Sequence, residues 1–507
     1  MITVKWDIES LKEFLEGRMA ELHIPGLAIG FIKDGETLFC DGLGFADVER
    51  QTKVTCETVF RMGSISKTFT TLGLFQQWEK GKFQLEDPIN EYLPYGSIRP
   101  KNPKAPPITF QHLLTHTSGI GELLKLSDLL RFRRFVNEDP SKLYSLRQIF
   151  EREIHLKLEP ETKWAYANFG YYLLGYLLEE ISEIEFSRYM IKNLFNPLEM
   201  DHSDFVWSAR VKPHQAKGYK YTKGEYVEFG TAMQTLMPAG SLYASIGDMT
   251  RYMRCLLNGG SYKGTQLLKK ETLDLLTSPH YQLDPRLKAM GYCFWIYDLE
   301  GYKIYGHGGS INGYLAEMYL LPEERAGLIV ALNQNSIRDM GAMRIAHEIL
   351  HKILDLPDPK ARLKPIPYTL DVSTKDSIQG RYGPEKGVLT NTRFYMAGGE
   401  IRIRWKKERL VYKTLWGNKK HGVKLWPASP DDPLYYNLVD KLDYGTVEPY
   451  ETVIFRKNEA GEITLLLKGF HAFRKKRWFE SFIFKFYSRL LFFITGIIAL
   501  IQLLNYL

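Results

Sequence analysis

Three short constellations in this 507-residue chain combine residues able to do covalent chemistry. Ser64-Ile-Ser-Lys67 sets a hydroxyl and an amine three residues apart, which on a helix puts them on one face and within reach of each other. A serine hydroxyl is a weak nucleophile until a neighbour takes its proton, and a desolvated lysine can do so because burial favours its neutral form. Tyr166-Ala-Asn168 is the second constellation. A phenol beside a lysine amine can shuttle a proton, and a side-chain amide can orient the amine and bind a substrate carbonyl. The same pattern recurs at Tyr435-Tyr-Asn437, in a segment that reads as a strand. His307-Gly308-Gly309-Ser310 is the third. Its glycines let a substrate backbone approach closely, and the Ser310 N–H can face a developing oxyanion together with the Ser64 N–H. Each has a purely structural counterpart: a helix start with a solvated lysine, a helix capped by Asn168, and a glycine turn with a surface histidine.

A rival motif lies further on. His347-Glu348-Ile-Leu-His351 has the H-E-x-x-H spacing that sets two imidazoles on one helix face for zinc, with a glutamate base. Ala346, Ile349, Leu350 and Ile353 form the apolar stripe of that helix, so His347, Glu348 and His351 are expected to face solvent. No third ligand is evident, and Leu354 stands where the longer zincin motif has glycine. A zinc metallopeptidase is the lesser alternative.

The elements that position these residues follow from periodicity. Gly26–Ile32 and Thr37–Gly42 read as strands joined through Asp34-Gly35, a favoured hairpin turn. From Ser64 to Glu79 the apolar positions Phe69, Leu72, Phe75 and Trp78 predict a helix stopped by Gly81. Further helices are expected over Asn168–Ile184 and Met340–Leu354, with a helical, basic insertion around Arg131, Arg133 and Arg134. Strands return between Gly291 and Asn333. Strands at both ends with helices between them imply an α/β (α+β) layer on a mainly antiparallel sheet. Leu356 to Thr369 holds four prolines and reads as a linker. Beyond it, short segments of period two predict a small β-sandwich or barrel. The expected domains are residues 1–355 for the chemistry, a Pro-rich linker at 356–373, a β domain at 374–470, and a basic flank with a hydrophobic helix at 471–507.

Order and flanks join the three constellations. The sequence resembles the class C β-lactamase and D-alanyl-D-alanine carboxypeptidase B family of serine hydrolases, whose S-x-x-K, Y-x-N and [K/H]-x-G elements occur in this order. Ile24-Pro-Gly-Leu-Ala-Ile-Gly, Phe60-Arg-Met-Gly, His112-Leu-Leu-Thr-His-Thr-Ser-Gly119, Asn196-Pro-Leu-Glu-Met200, Pro238-Ala-Gly-Ser-Leu and Gly306-His-Gly-Gly309 match as well. The resemblance spans residues of about 8 to 354. It implies that Ser64 is the acylated nucleophile, Lys67 and Tyr166 are the general base and proton shuttle, and Asn168 is a substrate and lysine contact. It makes the N–H groups of Ser64 and Ser310 the oxyanion hole and gives His116 a framework role. Which of Lys67 and Tyr166 takes the Ser64 proton stays open, since a coupled pair titrates as a unit.

One departure narrows the substrate. His307 and Gly308 stand where the β-lactamases carry lysine and a hydroxyl residue that engage the substrate carboxylate, and a mostly neutral imidazole supplies far less charge. The variant resembles the aminopeptidase, esterase and filament-forming branches. The expected activity is hydrolysis of a small amide or ester through an acyl-enzyme, without a cofactor. β-Lactamase or D,D-carboxypeptidase activity is one alternative, and a non-catalytic membrane-associated scaffold or filament-forming protein is another. The β domain resembles the lipocalin-like barrels appended to some members.

Composition bounds the rest. With 44% hydrophobic and 25% charged residues the chain is globular. Its net +8 is unevenly placed: residues 361–507 hold 25 basic and 14 acidic residues, a net +11, leaving −3 for residues 1–360. Arg474, Lys475, Lys476, Arg477, Lys485 and Arg489 precede 18 uncharged residues from Leu490 to Leu507. That run is about 27 Å as a helix, near the minimum for a bilayer, so a C-terminal membrane anchor is expected. The alternative is a helix packed on another domain or subunit of a soluble cytoplasmic protein. The excess charge points to an anionic membrane rather than nucleic acid. The four cysteines are widely spaced without a C-x-x-C pair, and no apolar leader is visible, so a reducing compartment, with the catalytic domain in the cytoplasm, is expected. A homo-oligomer is compatible with the family.

Overall fold

A computed structural model describes the chain apart from residues 1–7, 122–135, 138–143, 335–340, 357–370, 385–399, 415–422, 440–451 and 481–507, and positions 101, 157, 162, 231–232, 235–236, 407–408, 430 and 478–479. Two compact units are present, Met1–Pro357 and Asp358–Leu507. The first is built on an eight-stranded antiparallel sheet. An inner strand, Gly26–Lys33, is buried almost throughout and pairs on one side with Ala326–Leu332 and on the other with Glu36–Asp47. A strand covered on both faces reads as a continuous apolar run, as Leu27-Ala-Ile-Gly-Phe-Ile does. Gly30 lets helix Ile246–Leu257 approach one face, since a Cβ there would press on Ile246 and Thr250. Leu332, on the opposite face, meets the start of helix Gly341–Ile353.

The Ser64 segment lies inside this unit. A 3₁₀ turn, Gly63–Ile65, runs into helix Ser66–Glu79, and from Thr58 to Phe75 every residue is buried except half-buried Ser64. The polar residues Ser66, Lys67, Thr68, Thr70 and Thr71 are buried with the apolar ones, and buried polar groups need hydrogen-bond partners inside the protein. Phe69 anchors this helix, stacked on Tyr252 at 4.0 Å between ring centroids and edge-on to Phe195 at 5.8 Å. Helix Asn168–Ser182 packs beside it: a Cβ on Gly73 would come within 3.0 Å of Leu178.

The H-E-x-x-H reading is corrected by the packing. His347 and His351 are each only 4% exposed. At Glu348, helix Ile8–Leu22 meets the stripe that the apolar periodicity assigned to solvent: Arg18 Nε is 2.7 Å from Glu348 Oε2, while Arg344, one turn earlier on the same helix as Glu348, has Nε 3.3 Å from Oε1. Glu348 is thereby committed to two guanidinium groups, and His347 stacks on Tyr319 at 5.2 Å. The cysteine reading changes too. Cys40 and Cys56, with Cα atoms 5.5 Å apart, form a disulfide that ties strand Glu36–Asp47 to the segment before strand Val59–Arg61, while Cys255 and Cys293 are free and buried. Separation along the chain does not report such proximity. Disulfides persist in oxidising compartments, so cysteine usage no longer argues for a reducing one.

The second unit holds a closed barrel of eight strands between Gly380 and Lys476. Ile401, Ile403, Leu410, Tyr412, Val423 and Leu425 fill its interior. The alternating positions Arg402, Arg404, Lys406, Arg409, Lys413 and Lys424 point outward on three adjacent strands. Arg474, Lys475 and Lys476, read from sequence as a flank to a terminal helix, instead belong to the last barrel strand, His471–Lys476, paired with Gly380–Pro384 and Ile463–Lys468. Tyr435-Tyr-Asn437 is in a barrel strand, Tyr435–Val439. Most of the expected linker, the basic insertion around Arg131 and the uncharged run from Leu490 lie outside the described residues. Among the described residues no helix is long and apolar enough to cross a membrane.

Glu179 offers a test of the helix packing. Burial is the main cause that pushes its carboxyl up to about 7, opposed by the Phe186 N–H it accepts at 2.8 Å and reinforced by Glu185 and Glu180. A raised carboxyl binds a proton in the folded state that the unfolded chain lacks, so this group's contribution is present below about 4.5 and lost as pH rises through about 7. Glu179→Gln keeps an acceptor for Phe186 and removes that loss. Thermal unfolding should place the variant above the parent at pH 8 and not above it at pH 4.5.

Candidate active site

Lys67 organises the site. Its side chain is fully buried, its Nζ is 3.0 Å from Ser64 Oγ, and it donates to the Ala239 carbonyl oxygen at 2.6 Å. The same nitrogen lies 5.0 Å from the ring centroid of Tyr166 and 5.7 Å from that of Tyr171. Hydroxyl hydrogens rotate to suit their partners, so this geometry serves an ammonium donating to Oγ and a neutral amine accepting from it. The helix start is locked from outside. Ser66 Oγ donates to the Gly63 carbonyl oxygen at 2.6 Å and accepts the Leu242 N–H at 2.9 Å, and Thr70 Oγ1 donates to the Pro238 oxygen at 2.7 Å. The Pro238–Leu242 run thus holds both ends of the Ser64–Lys67 turn.

Tyr166 is held by a second buckle. The Ala165 N–H donates to the His116 carbonyl oxygen at 2.8 Å and the Ala167 N–H to His116 Nδ1 at 3.3 Å, with the His116 ring 4.3 Å from that of Tyr166. His116 takes φ of 60°, a left-handed conformation that costs a non-glycine residue free energy. The Glu161 N–H donates to the Thr117 oxygen at 2.9 Å, and His112 Nε2 lies 2.8 Å from Glu161 Oε1. Segment 112–119 therefore fixes the chain on both sides of Tyr166. Asn168, half-buried, begins helix Asn168–Ser182 two residues later.

The third constellation arrives on strand Tyr302–Ile311. Gly63, at φ of 51°, sits so close to it that a Cβ there would be 2.7 Å from the Ser310 nitrogen. Conversely, a Cβ on Gly309 would collide with the Met62 carbonyl oxygen and lie 3.4 Å from the Ser64 nitrogen. Only glycines permit this approach, which brings the backbone of strand Tyr302–Ile311 against the Ser64 turn. His307 is 1% exposed, its ring 6.5 Å from that of Tyr166 and 5.1 Å from that of Trp295. Its Nδ1 is 2.6 Å from the Gly308 carbonyl oxygen, which can only accept, so Nδ1 carries a proton. The expected residues Ser64, Lys67, Tyr166, His307, Gly309 and Ser310 are thus gathered from three segments remote in sequence.

Two participants carried no chemical signal in the sequence. The Ala239 carbonyl is a backbone group in a run noted only for its match. Cys293 is buried at φ of 79°, and its N–H shares the Leu114 oxygen with the Tyr171 hydroxyl, at 3.2 and 3.1 Å. Burial pushes its thiol up to about 11.

Comparison with known proteins places this geometry. The beta-lactamase family model matches residues 11–351. The chain belongs to the beta-lactamase family. Members of this family are generally serine hydrolases. Protein flp of Staphylococcus aureus is 24% identical over 336 residues, 65% of this chain and 63% of that protein. A putative penicillin-binding protein, PbpX, of Bacillus subtilis is 29% identical over 245 residues, 48% of this chain and 58% of the relative. The chain therefore spans less than two thirds of the length of these relatives. Among solved structures, the octameric penicillin-binding protein homologue from Pyrococcus abyssi is similar over 93% of this chain and all of its own, with a TM-score of 0.59 and 22% identity. SurE is similar over 92% and 99%, with a TM-score of 0.62 and 18% identity. These two likenesses establish a shared fold.

The two glycines of the third segment should behave differently. Gly309→Ala forces the strand off the Met62 carbonyl and should slow labelling of Ser64 by a fluorophosphonate about a hundredfold or more, the scale of a lost oxyanion donor. Gly308→Ala meets only the tip of the Glu317 side chain, at 2.5 Å, and should stay within about tenfold of the parent. Labelling rates of both variants, with circular dichroism to verify folding, check the contrast.

Proposed function

We propose that the protein hydrolyses a small amide or ester through an acyl-enzyme on Ser64. The observation that carries this reading is the contact between buried Lys67 Nζ and Ser64 Oγ at 3.0 Å, in a run where Ser64 alone reaches solvent. Ser64 Oγ attacks the substrate carbonyl carbon, and its proton passes to the Lys67–Tyr166 pair. The oxyanion faces the N–H groups of Ser64 and Ser310. Collapse breaks the bond to the amine or alcohol, which leaves with that proton, and water then repeats the sequence to release the acid and restore Ser64. Asn168 is assigned to the substrate carbonyl and the lysine.

His307 argues for a substrate without a carboxylate beside the scissile bond. Its Nδ1–H is engaged by the Gly308 carbonyl, and an imidazole so committed is a poorer counterpart for a carboxylate than a lysine ammonium. This favours aminopeptidase-like or esterase-like substrates over penicillins. SurE has also been solved with D-Leu, which is the reason to include D-configured substrates in a screen. A panel of D- and L-aminoacyl anilides, short-chain nitrophenyl esters and a cephalosporin should give turnover with an amide or ester exceeding that with the cephalosporin. Ser64→Ala should abolish both turnover and labelling; hydrolysis retained in that variant would overturn the assignment. Ser310→Ala should cost far less than a hundredfold, because the proposed donor is its backbone N–H.

For partners, the outward cations of the barrel, from Arg402 to Lys424, suit an anionic bilayer, and the octameric neighbour makes self-association the first assembly to measure. Co-sedimentation with phosphatidylserine vesicles should fall steeply with salt. Binding unchanged by salt would remove the electrostatic surface from the proposal.

A further inference from the structure

A second constellation lies outside the Ser64 site. Glu57, His202 and His214 each offer one ligand atom, and the three atoms lie within 4.8 Å of one another. The two imidazole rings are 4.3 Å apart at 53°, so they meet by their edges' approach rather than as a flat stack. Glu57 and His214 are exposed and His202 is half-buried. None belongs to the machinery described above.

The cluster is assembled by the fold, because its members come from three segments with separate anchors. The His202 N–H donates to Asp248 Oδ2 at 2.8 Å, and Ser203 Oγ donates to the same oxygen at 2.7 Å. Asp248 is completely buried, paired with Arg251, and accepted by Ser245 Oγ through its own N–H at 3.1 Å. One residue earlier on the same helix, the Gly247 N–H donates to the Cys56 oxygen at 3.0 Å, fixing the neighbour of Glu57, which the Cys40 disulfide also holds. His214 closes a 3₁₀ turn, Lys212–His214, and the chain after it is pinned to strand Val59–Arg61 by the Ala216 N–H on the Val59 oxygen at 2.9 Å. The start of helix Ile246–Leu257 and strand Val59–Arg61 thus set the backbone positions of all three.

We propose that Glu57, His202 and His214 form a zinc site that staples these segments. Two imidazole nitrogens and one carboxylate oxygen are a donor set that zinc takes at about 2.0–2.2 Å, leaving a fourth position for water. Tetrahedral bonds of that length need ligand atoms about 3.3 Å apart. Torsions of the exposed Glu57 and His214 side chains supply the remaining closure without moving the anchored backbone. The ion joins the segment before strand Val59–Arg61, which leads to Ser64, to two segments far along the chain. Its role is to hold the scaffold, independent of acyl transfer.

The test uses the full-length protein stripped with chelator and titrated with zinc chloride alone. Calorimetry should report one zinc per chain, and the thermal midpoint should rise by a few degrees at saturating metal. Cobalt(II) in its place should give the visible ligand-field bands of a four-coordinate site. His214→Ala and Glu57→Gln, both at exposed positions, should each weaken binding tenfold or more and lose the thermal shift. His155→Ala, an exposed histidine elsewhere, should change neither. Absence of stoichiometric binding in the parent, or binding that survives both ligand substitutions, would overturn the site.

Discussion

A lysine side chain with no solvent exposure has to satisfy its N–H bonds within the protein, and Lys67 does so with Ser64 Oγ and the Ala239 carbonyl. Much of the first unit can be read as the means of keeping that arrangement in place. Ser64 is the half-buried residue of an otherwise buried run, so the amine meets the surface at the serine while the helix behind it stays in the core. The carbonyl partner has to be delivered by a segment 172 residues away in sequence, which is why the Pro238–Leu242 run is bonded to Met62, Ser66 and Thr70 as well. Breaking that run would leave a buried donor without its acceptor, a larger loss than the net worth of one hydrogen bond.

Close backbone approach is the second requirement. The strand carrying His307 to Ser310 reaches the serine turn because positions 63 and 309 lack side chains. The same device is absent one residue away at Gly308, where the facing atom belongs to a movable carboxylate.

The chemistry-bearing residues were legible in the sequence because S-x-x-K, Y-x-N and H-x-G are local and their order is fixed by topology. The strand and helix pattern was legible for the same reason: Leu27 to Ile32 is apolar throughout, and the barrel strands alternate. What escaped was set by distant packing. His347 and Glu348 read as exposed because helical periodicity sees one helix at a time, whereas His347 packs on Tyr319 of the sheet and Glu348 meets Arg18 of helix Ile8–Leu22, over 300 residues earlier. The Cys40–Cys56 pair and the Glu57–His202–His214 grouping exist only once the chain is folded. The basic residues at 474–476 read by composition as a helix flank, whereas their backbone pairs with Gly380–Pro384 as the last barrel strand.

The edges of both sheets have a consequence for how this molecule can meet another. The described barrel is a closed ring with no terminal strand, and the central sheet ends in the two-residue strands Ala289–Met290 and Thr52–Lys53. Main-chain hydrogen bonding to a neighbour needs a free edge of useful length, which the described barrel does not offer. Recognition by strand addition is therefore closed to the barrel. Any assembly built on it has to be selected by side chains and tuned by charge, so it can be rewritten by single substitutions without disturbing the sheet.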